Sequence, residues 1–411
     1  LATKIIVSAL AAALVLLVYF FIAHTTRDSR AALISALAAG FVPGLWQDAA
    51  SAHASLLGIV LGFFLLLCFL HINDQRWRVL FLCTVVVGSI AHPSFLLFVL
   101  GLLAYLLLGA LVGVERPKGE HELVFFAFLF TLWMTLLLYK RVLVEYGLAI
   151  VWQNIPSSIL ASYFTQISVL DAVWAAGIIP FIIGVYMMYR HLLIEQERTA
   201  YLVMGLAIAT GAVIWQRLIE PHLGLQILGI TLVLLFAVAL ARFFRYLDKT
   251  KVARWNWAAV SIAVLLVLAL SAIPSLIEAS RLHTLTTDDA AALDWLRQHT
   301  NSNSVVLATL EEGHAIAAKA ERGTIADTNF LLKPDAAVRV QDIQRSFTSP
   351  FNSDIAEVMD RYHAKYILWD DHTRALAGRD MPLFADDAEC FRHSMTFGTV
   401  IIYQNVCEVK G

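Results

Sequence analysis

Side chains that could do chemistry are scarce in this chain, and most fall at the edges of its apolar stretches. Arg217 follows Trp215-Gln216, with Glu220, Pro221 and His222 close behind. A guanidinium in that setting can hold a phosphate or pyrophosphate by forked hydrogen bonds, or it can pair with Glu220. Glu145 and Asp171 lie beside apolar runs and read as hydrated surface rather than buried acids. Without a buried acid, ion-coupled transport loses its main support. His92-Pro93 reads as the end of one helix and the start of the next, because of proline's geometry. The acid pairs Asp370-Asp371 and Asp386-Asp387 read as solvated loop charge, not as a catalytic dyad. Cys68 and Cys83 sit in apolar runs as small hydrophobes. Cys390 and Cys407 are equidistant from a turn expected at Gly398-Thr399, so they face each other across a hairpin as a disulfide or as two free thiols. No Cys/His spacing suggests a zinc site.

The elements that must position these residues follow from composition. Of 411 residues, 59% are hydrophobic and 15% charged, and the mean hydropathy is +0.71. Ordinary soluble domains run near 45–50% and about 25%. A single soluble enzyme domain, a coiled coil and a disordered chain are excluded. Residues 1–279 hold 17 Lys/Arg and 13 Asp/Glu, whereas 280–411 hold 13 and 19. The expected organisation is a multi-span α-helical membrane domain over 1–279, followed by a soluble α/β domain over 280–411. The overall charge of −2 argues against a nucleic-acid partner.

About ten membrane spans are expected, at 4–23, 31–46, 53–71, 79–92, 94–113, 123–139, 169–189, 200–216, 223–241 and 255–276. Loop charge sets their orientation. Thirteen Lys/Arg fall on one side: Arg27, Arg30, Arg76, Arg78, Arg116, Lys118, Arg190, Arg198, Arg242, Arg245, Lys249, Lys251 and Arg254. Lys140, Arg141 and Arg217 make three on the other. The positive-inside rule makes the first side cytoplasmic and puts the C-terminal domain outside. The apolar 145–168 stretch then lies outside too, as an interfacial helix or as a lid over a groove.

In the C-terminal part, Thr286 or Thr287 can cap a helix over 290–296, with Asp288 and Asp289 at its positive end. Strands are expected at 304–308, 324–326 and 365–369, and helices at 311–321 and 353–363. That alternation argues for a parallel or mixed sheet.

The order of these features resembles the catalytic subunits of oligosaccharyltransferase, within the C-type glycosyltransferases. The strongest local match is Glu311-Glu312-Gly313-His314 through Arg322-Gly323-Thr324-Ile325-Ala326-Asp327. In the family a Trp-Trp-Asp-Tyr-Gly motif opens a helix, and an Arg-x-Thr-x-Ala-Asp run follows. Residues 31–44 resemble the family's helix ending in Ser-Pro-Gly, and 150–156 resemble its external-loop run Ser-Val-x-Glu-x-x-Pro. Arg217 falls where the family has an arginine near the lipid-linked pyrophosphate. The resemblance also implies that this chain lacks the family's N-terminal helices.

By that resemblance, the catalytic positions fall on Asp48, His53 and Gln153, Arg217 is the donor-phosphate ligand, and Glu311, Glu312, Gly313, His314, Arg322 and Asp327 form the acceptor region. A divalent cation, Mg²⁺ or Mn²⁺, is implied on the same ground alone, with the bilayer, a polyprenyl-linked glycan donor and a protein or glycan acceptor as partners. The departures are specific. His53 and Ser55 stand where the family has a metal-binding acidic pair, Gln153 replaces the loop glutamate, and Thr309-Leu310 replace the tryptophans. Imidazole alone is a poor substitute for carboxylate toward Mg²⁺. The expected function is transfer of a sugar or glycan from a polyprenyl-(pyro)phosphate donor at the outer face. The alternatives are a non-catalytic relative that binds lipid-linked glycan or partner proteins, and a transporter or flippase.

Overall fold

The computed structural model describes residues 2–45, 55–113, 119–146, 169–194, 197–216, 218–219, 221–249, 285–407 and four short stretches between 262 and 273. Asp48, His53, Gln153 and Arg217 lie outside the described residues, as do most of the expected 255–276 span and the 147–168 stretch. The chain divides into two compact units, one helical and one α/β, with a boundary between Leu282 and His283.

Among the described residues, five helices are long and apolar enough to cross a membrane: Ile5–Thr26, Phe95–Val112, Glu120–Leu138, Arg198–Trp215 and His222–Asp248. Ser29–Gly40, Ser55–Leu70 and Ile178–Leu192 are apolar but shorter. Several differences from the hydropathy reading have local causes. Ser29–Gly40 has 12 residues, which at about 1.5 Å per residue is well short of a bilayer. Its start is fixed by Asp28, whose side chain accepts from the N–H groups of Arg30 and Ala31. The expected span 169–189 is two helices, Val169–Ala176 and Ile178–Leu193, broken at Gly177 with φ +88°. At His92-Pro93 the helix Gln75–Ala91 ends and Phe95–Val112 begins.

Two contacts organise the helical unit. A Cβ on Gly205 would stand 2.6 Å from the Tyr105 nitrogen and 2.7 Å from the Gly101 oxygen. Glycine therefore lets helices Phe95–Val112 and Arg198–Trp215 meet backbone to backbone, the common way of packing helices in lipid. At the first turn of Glu120–Leu138, the Glu120 side chain is fully buried and ion-paired to Arg198, whose Nε also donates to the Tyr105 hydroxyl at 3.1 Å. Burial is uneven across the unit. Within their most apolar windows, 83% of His222–Asp248 is enclosed by other helices, against 17% of Glu120–Leu138.

The second unit holds five strands: β1 (Val305–Leu307), β2 (Gly323–Thr324), β3 (Ala364–Trp369), β4 (Phe391–Phe397) and β5 (Val400–Asn405). Their order is β2-β1-β3-β5-β4. The first three are parallel, and β5 runs antiparallel to both β3 and β4. Strand alternation makes two cores. Leu307, Ile367 and Trp369 pack with Val340, Ile343, Phe347 and Val358 on one face. Val306, Ala308 and Leu368 pack with Leu293, Leu296 and Ile316 on the other.

Helix Thr287–His299 starts with a capping box between Thr286 and Asp289. The expected helix over 311–321 is instead one α-turn, Gly313–Ala315, continued as π-helix through Ile316–Ala320 and stopped by left-handed Glu321. Helix Ala336–Thr348 adds to the expected elements; its Ala336, Val340, Ile343 and Phe347 recur at helical spacing and are all buried. The hairpin turns at Gly398-Thr399, between paired Phe397 and Val400. A bulge between His393 and Met395 shifts the pairing by one residue toward the base. Cys390 and Cys407 are disulfide-bonded there, with Cα atoms 4.7 Å apart.

Candidate functional site

Parallel neighbours end on the same side of a sheet, so the loops after β1 and β3 meet beyond their C-terminal ends. Open α/β sheets commonly carry their ligands there. The loop after β1 supplies Glu312, and the residues after β3 supply Asp370 and His372. One ligating atom from each lies within 4.8 Å of the other two. His372 Nδ1 and Glu312 Oε1 are 2.6 Å apart. Asp370 is only 2% exposed and caps helix Asp371–Ala377, accepting from the Thr373 N–H at 2.8 Å. The second oxygen of Glu312, Oε2, is enclosed and has no hydrogen-bond partner among the described residues.

The electrostatics follow from burial and proximity. Burial first, and the Glu312 carboxylate second, push the Asp370 carboxyl up to about 7. The hydrogen bond to Glu312 is the main cause holding His372 up at about 9, with Asp370 and Glu311 adding to it. Two carboxyls and an imidazole therefore crowd one partly enclosed site. The same donor set can coordinate a divalent cation.

Asp370 corrects the sequence reading. In the dipeptide Asp370-Asp371 only the second member is solvated charge; Asp371 pairs with Arg374 at 2.5 Å. The first is a buried group at a strand end. His372 stands beside it with no motif of its own. Asp-x-His directly after an apolar strand is a local signal, but only the β1–β3 pairing brings Glu312 to it.

The two motif segments also meet. A Cβ on Gly313 would stand 2.6 Å from the Asp327 Cβ and 2.7 Å from the Ala326 oxygen. One residue on, His314 Nε2 lies 2.6 Å from the Thr328 hydroxyl. Asp327 pairs with Lys333 at 3.3 Å and accepts from the Asn329 N–H. Glu311 is exposed beside the cluster. Arg322 is 8% exposed and fully engaged. Its guanidinium donates to the Thr300 hydroxyl, to the carbonyls of Arg297 and Thr300, and to that of Glu321. It closes the C-terminus of helix Thr287–His299. Thr309 is 3% exposed, and Leu310 packs against the core.

Gly313→Ala is expected to cost the α/β unit about 1–3 kcal/mol, as overpacking does when backbone must move. A thermal melt should show it, with Gly313→Ser falling at least as far; an unchanged melt would mean the segments separate freely.

No family model matches the chain, and no curated protein matches its sequence. Solved structures do match in fold. The oligosaccharyltransferase of Archaeoglobus fulgidus, in its apo form, superposes with a TM-score of 0.60 at 15% identity, covering 95% of this chain and 62% of that one. The same archaeal enzyme, AglB, in complex with an inhibitory peptide and a dolichol-phosphate gives 0.59 at 15% identity, covering 99% and 64%. A form tethered to an acceptor peptide containing the NVT sequon gives 0.58 at 17% identity, covering 90% and 57%. This chain thus spans about six-tenths of the length of the enzyme it resembles, and what they share is the fold.

Proposed function

We propose that this protein is a membrane glycosyltransferase-like protein of the oligosaccharyltransferase type. It moves a sugar or glycan from a polyprenyl-(pyro)phosphate donor to an acceptor at the outer membrane face. The observation that carries this reading is the fold correspondence, which runs through helical and α/β parts together over 95% of the chain at TM-score 0.60. Structures of the archaeal enzyme carry dolichol-phosphate and peptides. On this reading the donor here is a lipid phosphate and the acceptor a peptide or glycan.

In this reading about ten spans bring the C-terminal domain to the outer face, following the loop-charge asymmetry. Arg217 grips the donor phosphate through two parallel N–H···O bonds, which a lysine could not reproduce. The 145–168 stretch covers the groove. A divalent cation, implied by the resemblance alone and with no ligands assigned to it, would neutralise the departing phosphate. The acceptor lies along Glu311 to His314, beside Asp327, while Arg322 holds the framework of that surface. Gln153 takes the place of the glutamate that orients the acceptor.

One observation favours the second reading, a non-catalytic relative. The positions of the motif indoles are Thr309 and Leu310, and both are turned to packing. The deciding experiment uses the full chain reconstituted in liposomes with a polyprenyl-pyrophosphate-linked, labelled glycan and a peptide library. Transfer that falls about 100-fold in Arg217→Ala, the loss of about 2.7 kcal/mol of charge-assisted contact, is the expected result. Donor binding without transfer supports the non-catalytic relative. Neither binding nor transfer overturns both, and vectorial uptake of a solute would point to transport.

A further inference from the structure

We infer that Glu312, Asp370 and His372 form a binding site for a divalent transition-metal cation of the zinc class, which clamps the loop after β1 to helix Asp371–Ala377. The site lies within the α/β unit and does not depend on the function proposed above.

Four observations carry it. First, the donors converge: two carboxylate oxygens and one imidazole nitrogen lie within 4.8 Å of one another. Ligands about 2.0–2.2 Å from a central ion fit that spread after small side-chain movements. Second, the Glu312 carboxylate lies against the buried Asp370 carboxyl as well as against His372. Two carboxylates facing each other out of water repel, and a cation coordinated between them removes that repulsion. Third, the backbone presents the ligands firmly. Asp370 follows directly on β3 and is fixed by the Thr373 N–H; His372 sits in the first turn of the same helix; Glu312 ends the turn before Gly313–Ala315. Fourth, the site is reachable, because the His372 side chain is 39% exposed.

The donor types choose the ion. An oxygen–oxygen–nitrogen set with one open position suits Zn²⁺, and an imidazole ligand disfavours Mg²⁺ and Ca²⁺. The nearby charge agrees: exposed Glu311 adds negative potential, and Asp371 is balanced by Arg374. Binding requires His372 to release its Nδ1 proton and Asp370 any proton it carries. These protons pass to solvent, and no oxidation or reduction takes place. No Cys/His spacing signals this site, because two of the three ligands are carboxylates and they come from separate loops.

The test uses the full chain in detergent, stripped with EDTA and titrated with Zn²⁺ against a chromogenic chelator. Wild type is expected to bind one Zn²⁺ that Glu312→Gln, Asp370→Asn or His372→Gln each weaken by about 100-fold or more. Substituted Co²⁺ should give the visible absorption of a low-coordinate site in wild type only. Asp370→Asn is the informative variant, since asparagine caps a helix as well as aspartate does; its melt in EDTA should match wild type, which separates lost ligation from lost folding. Three results would overturn the inference: no Zn²⁺ bound by wild type beyond the His372→Gln level, Zn²⁺ binding indifferent to all three substitutions, or Mg²⁺ competing at equal concentration.

Discussion

Arg198→Met is expected to destabilise the helical unit by about 3–5 kcal/mol, the range for removing one partner of a buried ion pair. Glu120 is 1% exposed as a residue and its side chain is fully enclosed. Without the guanidinium it keeps the Tyr105 hydroxyl, at 3.4 Å from each carboxylate oxygen, and the positive end of its own helix. Neither replaces a full charge. The pair also joins three helices, since Tyr105 belongs to Phe95–Val112, Glu120 to Glu120–Leu138 and Arg198 to Arg198–Trp215. The loss should therefore appear as one cooperative shift. Unfolding in bicelles, followed by tryptophan fluorescence or by resistance to SDS, measures it. Glu120→Gln/Arg198→Met should recover most of the deficit, because neutralising both partners removes the uncompensated charge. A single variant as stable as wild type would mean that water reaches Glu120.

Arg322→Met should cost the α/β unit about 3–4 kcal/mol. Four acceptors lose a charged donor at once, and hydrogen bonds to charged groups contribute about 1.5–3 kcal/mol each before solvent reclaims some of them. The carbonyls of Arg297 and Thr300 belong to the end of helix Thr287–His299, where backbone oxygens have no intrahelical partner. Methionine keeps much of the stem's packing, so the deficit measures the polar head. Arg322→Lys should recover only part, as one ammonium cannot reach acceptors spread around a fork. Thermal melting monitored by near-ultraviolet circular dichroism gives the number. An effect on glycan transfer with no shift in melting would assign Arg322 to the acceptor instead.

Arg322 shows how far the sequence could be read. Its place in an Arg-x-Thr-x-Ala-Asp run marked it as important, but spacing alone could not separate an acceptor contact from a framework bond. Two of the three carbonyls it holds lie 22 and 25 residues upstream. The apolar spans were legible because hydropathy is a property of single residues in a window. The break at Gly177 was not, because it depends on a backbone angle rather than on apolar content. Asp370 and Asp371 are chemically identical neighbours, and burial separates them only because β3 ends between its core face and solvent. Glu312 was visible only as one member of the Glu311–His314 match. Its cluster needed a sheet pairing that strings of residues do not reveal.

The uneven burial of the helices has a consequence for how the protein is made. His222–Asp248 is enclosed by its neighbours over most of its length, yet its mean hydropathy of 2.5 is as high as a lipid-facing segment would need. A helix enters the bilayer before its neighbours surround it, so this one satisfies two selections at successive times. Leucine-rich composition serves the first. The second is served by sites such as Gly229, where a Cβ would stand 3.0 Å from the Ala176 oxygen. Substitutions there should leave insertion intact and fail afterwards, as chains that reach the membrane but never mature.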